Sequence, residues 1–375
     1  MLCGIAFRIR AKVAGVRFDE LRELCTAAGD KASLAIAMAG LVMDHAFQDR
    51  MREASQLASE AIGLIESVGE PTLTVGLSFL PIHAKVESAE WCDALRWSQR
   101  VIDLADGDAS KGNFIVGSPL ALAYTSRAVA RFCLGRRGWR DDLRHGLPMA
   151  RSADPMSYAT AVAFAYCAGI PFGVLRPDDS AVREIESALR ITERSGDDFA
   201  LTVARMTLGL ALVHRRAARE RDRGQTLLAE VSEVFLHRGQ QRCDVPIVNV
   251  YLARERARRG DRDGAIPVIR AAADHLFREG RLLLWGVPAT AVLVETLLER
   301  GDESDVAEAE AAIERLAAAP ADEGLVIRDI WLLRLRALLA RANGDAAYAN
   351  FRDRYRDMAK QFGFEGHLAW AEAMP

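Results

Sequence analysis

The sequence has little of what catalytic or nucleic-acid-binding chains usually advertise. Its 375 residues carry a net charge of only −3, so no global basic field draws it to nucleic acid or an anionic membrane. No direct nucleic-acid contact is expected. Lysine is scarce: Lys12, Lys31, Lys85, Lys111 and Lys360 are five of 49 basic residues, a bias that fits a GC-rich genome and carries no functional weight. The six cysteines (Cys3, Cys25, Cys92, Cys133, Cys167 and Cys243) form no C-x-x-C pair. No disulfide framework or zinc site is implied, and the cysteines read as reduced core thiols in a cytoplasmic protein. The opening MLCGIAFRIRAKVAG has too short an apolar run, with charges in the wrong order, for a secretory signal. Residues 1–17 read as a poorly defined leader.

Long apolar runs are also rare. Pro155 to Leu175 is uncharged over 21 positions, yet it is rich in small and hydroxylated residues and contains Pro171. It reads as a helix buried between neighbours rather than a membrane span. Alternating β-branched runs bounded by turn residues are missing, so nothing demands a sheet.

Catalytic signatures are absent too. A phosphate loop needs G-x-x-x-x-G-K-[ST]; Gly107-Asp108-Ala109-Ser110-Lys111-Gly112 has the composition in the wrong order. Asp261-Arg262-Asp263-Gly264 resembles the start of a calcium loop, but Ile266, Val268 and Ile269 stand where ligands are required. A helix cap explains its aspartates. Gly76-Leu77-Ser78-Phe79-Leu80 lacks the second glycine of a nucleophile elbow. The seven histidines never pair at ligand spacing and read as solvated or capping groups at helix ends. No catalytic residue, metal or cofactor is expected; an enzyme with an unrecognised active site between repeats is the alternative.

What is present is a beat of roughly 42 residues. Arg259-Gly260-Asp261, Arg300-Gly301-Asp302 and Asn343-Gly344-Asp345 recur at intervals of 41 and 43. Helical patterns end at Gly69, Gly107, about Ala153, Gly196, Gly239, Gly280, about Ala321 and Gly363. Each glycine suits a left-handed helix terminus, and each following aspartate can cap the next helix. Such a period signals stacked helix pairs. The expected fold is all-α: a right-handed α-solenoid of about eight antiparallel, tetratricopeptide-like pairs, forming one domain over residues 18–375, with the first pair poorly defined. The stretch between Ala105 and Ser118 is the expected irregular connection.

The second helix of each pair is amphipathic, as in Val306, Ala309, Ile313 and Leu316, and should form the wetter outer layer. First helices, such as Ala200 to Val213 or Leu282 to Leu298, are apolar nearly throughout. They should line the concave side, where solenoids bind extended ligands or peptides. Polar or aromatic residues on them are therefore the candidate contacts for a protein partner or small effector: Tyr124, Arg127, Arg205, Asn249, Trp285, Arg328 and Trp331. Two arginine clusters also stand out, Arg215/Arg216/Arg219/Arg221/Arg223 and Arg254/Arg256/Arg258/Arg259/Arg262. They read as charged helix ends or, alternatively, as a docking place for an acidic partner or phosphorylated ligand. Apolar first helices at either end of the array make self-association possible.

Three segments carry a family resemblance: Asp49 to Gly69 (DRMREASQLASEAIGLIESVG), Arg183 to Gly196 (REIESALRITERSG) and the ending Phe362 to Pro375 (FGFEGHLAWAEAMP). Over residues 18–375 the chain resembles the tetratricopeptide-like C-terminal region of large actinobacterial regulators, which join a nucleotide cyclase domain and an ATPase module to a helical-repeat tail; LuxR-type transcription activators carry similar tails. The resemblance implies a non-catalytic scaffold or sensor in a signalling or transcription-regulatory system. It implies neither cyclase nor ATPase activity, because no metal-binding cyclase aspartates on a sheet and no phosphate loop are found, and no helix-turn-helix follows Phe362. A truncated fragment of such a regulator is a further expectation.

Overall fold

The computed structural model describes residues 11–238, 241–322 and 324–375. Among them are eighteen α-helices, one short 3-10 turn and no strand. In chain order the helices are α1 (Ala11–Ala28), α2 (Lys31–Phe47), α3 (Met51–Val68), α4 (Pro71–Glu87), α5 (Trp91–Ala105), α6 (Pro119–Cys133), α7 (Trp139–Ala153), α8 (Pro155–Gly169) and α9 (Asp179–Ser195). They continue with α10 (Asp198–Val213), α11 (Ala218–Arg238), α12 (Val245–Arg258), α13 (Arg262–Arg278), α14 (Gly286–Arg300), α15 (Asp305–Ala317), α16 (Val326–Ala342), α17 (Tyr348–Phe362) and α18 (Glu365–Glu372). The 3-10 turn Arg242–Asp244 precedes α12. Of the expected leader, residues 1–10 lie outside the described residues, as does the helix end at Gly239; residues 11–17 belong to α1.

Local chemistry accounts for the helix ends. Gly69, Gly196, Gly301 and Gly363 close α3, α9, α14 and α17 in the left-handed conformation (φ 70°, 69°, 76° and 62°), which glycine adopts without a Cβ penalty. The α15 terminus falls at Ala317 rather than near Ala321, because Pro320 disfavours helical geometry just before it. Asp261 caps α13 by accepting from the Gly264 N–H at 2.9 Å, and its neighbour Asp263 pairs with Arg300 at 3.0 Å. The calcium-like quartet is a helix start. Asp302 does not cap, and α15 starts without a side-chain cap; Asp305, inside its first turn, accepts from the Asp302 N–H at 2.9 Å and from Arg300, fastening the turn.

Consecutive helices pack side by side along the chain, and the even-numbered ones also pack against one another from α2 through to α16. Their burial separates two layers. In α4, 12 of 17 residues are buried, against 6 of 18 in the adjacent α3. Every even helix from α2 to α16 is the more buried partner, so the even helices form the inner layer. Within it α8 is only 15 residues long, and no helix among the described residues is long and apolar enough to cross a membrane. The connection of 106–118 is irregular and seats Phe114 against α4 at Gly76, where any Cβ would stand 2.2 Å from the Phe114 ring.

The inner layer curls until its late members meet its early ones. Helix α16 packs on α6, and the Trp331 Nε1–H donates to Phe172 O at 3.2 Å. The turn after α8 receives two backbone bonds from the C-terminal segment, Glu365 N–H to Val174 O and His367 N–H to Gly173 O, both 2.9 Å. Gly173 is required here: φ is +72°, and an added Cβ would lie 2.5 Å from the Trp370 ring. On the outer side Arg140 donates to Gly363 O at 2.7 Å. The concave face expected to lie open for an extended peptide is therefore largely filled by its own side chains.

Candidate functional site

Where the inner helices converge they leave a cavity of about 90 Å³. Its wall is aromatic. Phe47 from α2, Phe79 and His83 from α4, Phe164 from α8 and Phe199 from α10 form a collar in which His83 is the hub. The imidazole meets Phe164 edge-on at 5.8 Å, Phe47 at 6.2 Å and Phe79 at 6.0 Å. Edge-to-face contact in this range is the favoured arrangement of such rings. Burial pushes the His83 imidazole below its ordinary value, against the upward pull of Glu87. Cys167 also lines the cavity, but burial raises its thiol to about 12, although the Thr207 hydroxyl at 3.2 Å pulls the other way. A thiol held that high supplies no thiolate nucleophile.

The floor is ionic. Arg281, with no exposed surface, donates to Glu87 on α4, to the Cys243 carbonyl and, at 3.4 Å, to Asp244. Burial works against the charged guanidinium, yet Glu87, Cys243 and Asp244 outweigh it and raise its pKa. Burial and the neighbouring Glu87 push the Asp244 carboxyl up to about 7, against the pull of Arg281. Close by, His275 on α13 contacts the Asp49 carboxylate, and Asp49 holds a left-handed backbone (φ 64°) that non-glycine residues adopt only under constraint. The Arg52 side chain reaches Arg278 O at 2.8 Å. These contacts join the α2–α4 region to the segment from residue 243 to 281, so two stretches remote in sequence meet at the cavity floor. Two lining side chains keep polar atoms that meet no partner within the protein, Trp285 Nε1 and His83 Nδ1. Buried polar atoms are normally satisfied, and these two are exceptions in the cavity wall.

The seven residues expected at the site are dispersed. Trp285 alone lines the cavity. Tyr124 stacks on His145 at 5.6 Å, beside Arg127. The Arg127 guanidinium is held internally by Asp142 (3.1 Å) and Gln99 (2.6 Å), tying α6 to α7 and α5. Arg205 pairs with Glu230 at 3.8 Å, and Arg328 donates to Ala319 O at 3.2 Å and to Asp329. Asn249 lines a separate open groove of about 760 Å³ with Arg242 and His275. Trp331 packs against His367 and Trp370 at the closing contact.

The cavity-lining His83, Glu87 and Asp244, and the Arg281 that pairs with the two acids from behind, are not among the seven. His83 and Glu87 sit on an apolar inner helix, the very criterion used for the others, so the signal was available. Asp244 and Arg281 lie just before α12 and α14 and carry no helical pattern to mark them. Of the histidines, His145 and His237 are exposed as expected, whereas His83, His214 and His367 are held in the interior. His367 has no exposed surface, and its Nδ1 meets the Tyr355 hydroxyl at 2.8 Å.

The arginine clusters divide. Arg221, Arg223, Arg256, Arg259 and Arg262 pair with carboxylates of adjacent helices, as charged helix faces do. Arg215, Arg216, Arg254 and Arg258 come together on one groove, Arg215 also pairing with Asp179 and Glu220 and Arg258 with Glu255. No protein-family model matches the chain, and no curated protein matches it.

Proposed function

We propose that the chain is a non-catalytic helical-repeat sensor, a right-handed solenoid of eight antiparallel helix pairs with a period of about 42 residues, whose effector sits inside the curl. The observation that carries this reading is the cavity between the aromatic collar and the Arg281–Glu87–Asp244 ion cluster behind it, because its walls join segments as remote in sequence as 43–87 and 241–285. A small aromatic molecule with a polar edge fits that chemistry. Its ring would pack against Phe47, Phe79 and Phe164, and its polar edge would meet Trp285 Nε1 or His83 Nδ1. Such a ligand touches both halves at once and shifts the population between closed and more open curls. A protein partner then reads the outer surface, in the signalling or transcription-regulatory setting that the family resemblance implies.

The experiment is a thermal-shift screen of small aromatic and heteroaromatic compounds, indole among them, on the full chain and on Ala163→Leu, which reduces the cavity volume. Saturable stabilisation of the wild type that is lost in Ala163→Leu supports the reading. Compounds that stabilise both equally place the effector elsewhere. Assays for nucleotide cyclase and ATP hydrolysis accompany the screen, and turnover in either would overturn the non-catalytic part.

A further inference from the structure

A second, larger concavity lies on the far side of the closing contact. The turn after α8, the end of α10, and helices α12, α14, α16 and α18 surround a groove of about 580 Å³, within the roughly 300–1,000 Å³ typical of small-molecule sites. We propose that this groove is a binding site for a small planar aromatic anion, a ring system carrying a phosphate or carboxylate. The inference goes beyond the interior effector site and does not depend on it.

Charge comes first. The groove is lined by six arginines and three carboxylates. Each of the three acids is already engaged: Asp178 caps α9 by accepting from Ala181 N–H at 2.9 Å, Glu220 accepts from Arg215 at 3.0 Å, and Glu295 accepts from Arg334 at 2.5 Å. Arg258 is held by Glu255 and Val213 O. That leaves Arg176 and Arg216, both exposed at the rim, and Arg254 in the wall.

Arg254 is the decisive residue. It is only 9% exposed. Its Nη2 donates to Val213 O at 2.7 Å and its Nη1 faces His214 Nε2 at 3.4 Å, while its Nε meets no partner. The nearest carboxylate oxygen, on Glu255, is 4.0 Å away, outside hydrogen-bond range. Burial and then the neighbouring Arg258 push its pKa down to about 10, against the pull of Glu255 and Glu295, so it remains a cation that has lost water and keeps only the long 4.0 Å pair to Glu255. His214 supplies no counterion. Its Nδ1 engages Leu210 O at 2.7 Å, and burial followed by Arg254 holds the imidazole well below its ordinary value, leaving it neutral. A buried charge without a bonded counter-charge is costly, and an anion in the groove would relieve it.

The opposite wall supplies the preference for a ring. Trp331 and Trp370 stand 5.3 Å apart between centroids at an interplanar angle of 53°, with the Arg334 guanidinium 5.4 Å and 5.2 Å from their rings, and Pro288 and Val292 add apolar lining. The Arg254 guanidinium itself lies 4.5 Å over the Tyr251 ring. Guanidinium and indole planes together favour a flat, electron-rich ligand that ends in an anion.

Isothermal titration of the full chain with four probes tests this: adenosine 5′-monophosphate, 1-naphthoate, adenosine and inorganic phosphate. The expected result is saturable binding of the nucleotide, the naphthoate or both, with adenosine and phosphate at least about tenfold weaker. Which of the two ring-bearing anions binds distinguishes a phosphate source from a carboxylate source. Arg254→Met should weaken binding at least about tenfold. The rim double variant Arg176→Ala/Arg216→Ala, which touches no packed contact, should weaken it in the same sense at unchanged melting temperature, so the proposal remains testable if Arg254→Met does not fold. Failure of both ring-bearing anions to bind overturns the proposal, as does equal binding of adenosine, or binding indifferent to the arginine variants that fold.

Discussion

The guanidinium of Arg281 is wholly buried and donates to the carboxylate of Glu87, 194 positions earlier in the chain. A contact of that span links α4 to the turn before α14 and seals the floor of the interior cavity. It carries a sharp asymmetry. Arg281→Met leaves Glu87 and Asp244 in the interior without their cation, a loss on the order of 3–5 kcal/mol. Adding Glu87→Gln to Arg281→Met removes the more serious orphan charge and should restore part of that loss. Urea unfolding of the two variants checks the order, and a double variant no more stable than Arg281→Met would contradict it.

The closing contact at the C-terminal end rests on Gly173 and Gly366, whose backbones meet with no room between them: a Cβ on Gly366 would lie 2.8 Å from the Gly173 Cα. Gly173→Ala adds both a left-handed strain and a clash with Trp370. It should destabilise the chain by about 2 kcal/mol or more. Gly29, also left-handed but with open space around its missing Cβ, is the control. Gly29→Ala should lower the thermal midpoint distinctly less than Gly173→Ala.

Stability should depend on pH through two opposing groups of side chains. Burial holds the His214 and His367 imidazoles well below 6.5, and the His83 imidazole below it. Their folded pKa values are depressed relative to the unfolded chain, so their contribution is complete above pH 6.5 and is lost as pH falls. Asp244 is raised to about 7 from 3.8, so its contribution is complete below pH 3.8 and is lost as pH rises towards 7. Asp244→Asn removes only the second effect. The stability of Asp244→Asn relative to wild type should increase from pH 5 to pH 8; a difference that is flat or falling over that range would show that Asp244 titrates normally.

Capping provides a comparison between two similar turns. Asp261 accepts from Gly264 N–H, whereas Asp302 caps nothing. Asp261→Ala should lower the melting temperature more than Asp302→Ala, even though both aspartates follow an Arg-Gly pair.

Much of the helical scaffold is legible in the sequence. The glycines at 69, 196, 301 and 363 stop helices in the left-handed backbone that glycine adopts freely, and the apolar residues of the stretches 200–213 and 326–339 are mostly buried because helical spacing puts them on the inner face. The curl is not legible. Its closure depends on small rotations accumulated between neighbouring helices, and the residues that seal it, Arg281 with Glu87 and Gly173 with Gly366, are remote in sequence and carry no local pattern. Helical position likewise does not separate a contact residue from an internal brace. Arg127 and Trp285 look alike as polar or aromatic residues on apolar helices, yet Arg127 is bound by Asp142 while Trp285 faces the cavity. The two arginine clusters were visible, but only folding shows which four side chains share a groove.

The most direct test of an effector inside the curl is hydrogen exchange on the full chain, with and without the tightest compound from the aromatic screen. Binding in the cavity should slow exchange in two remote regions together, around Phe47 to Glu87 and around Cys243 to Trp285, because both contribute to its walls. Protection confined to one of them, or to the outer helices, would contradict the account.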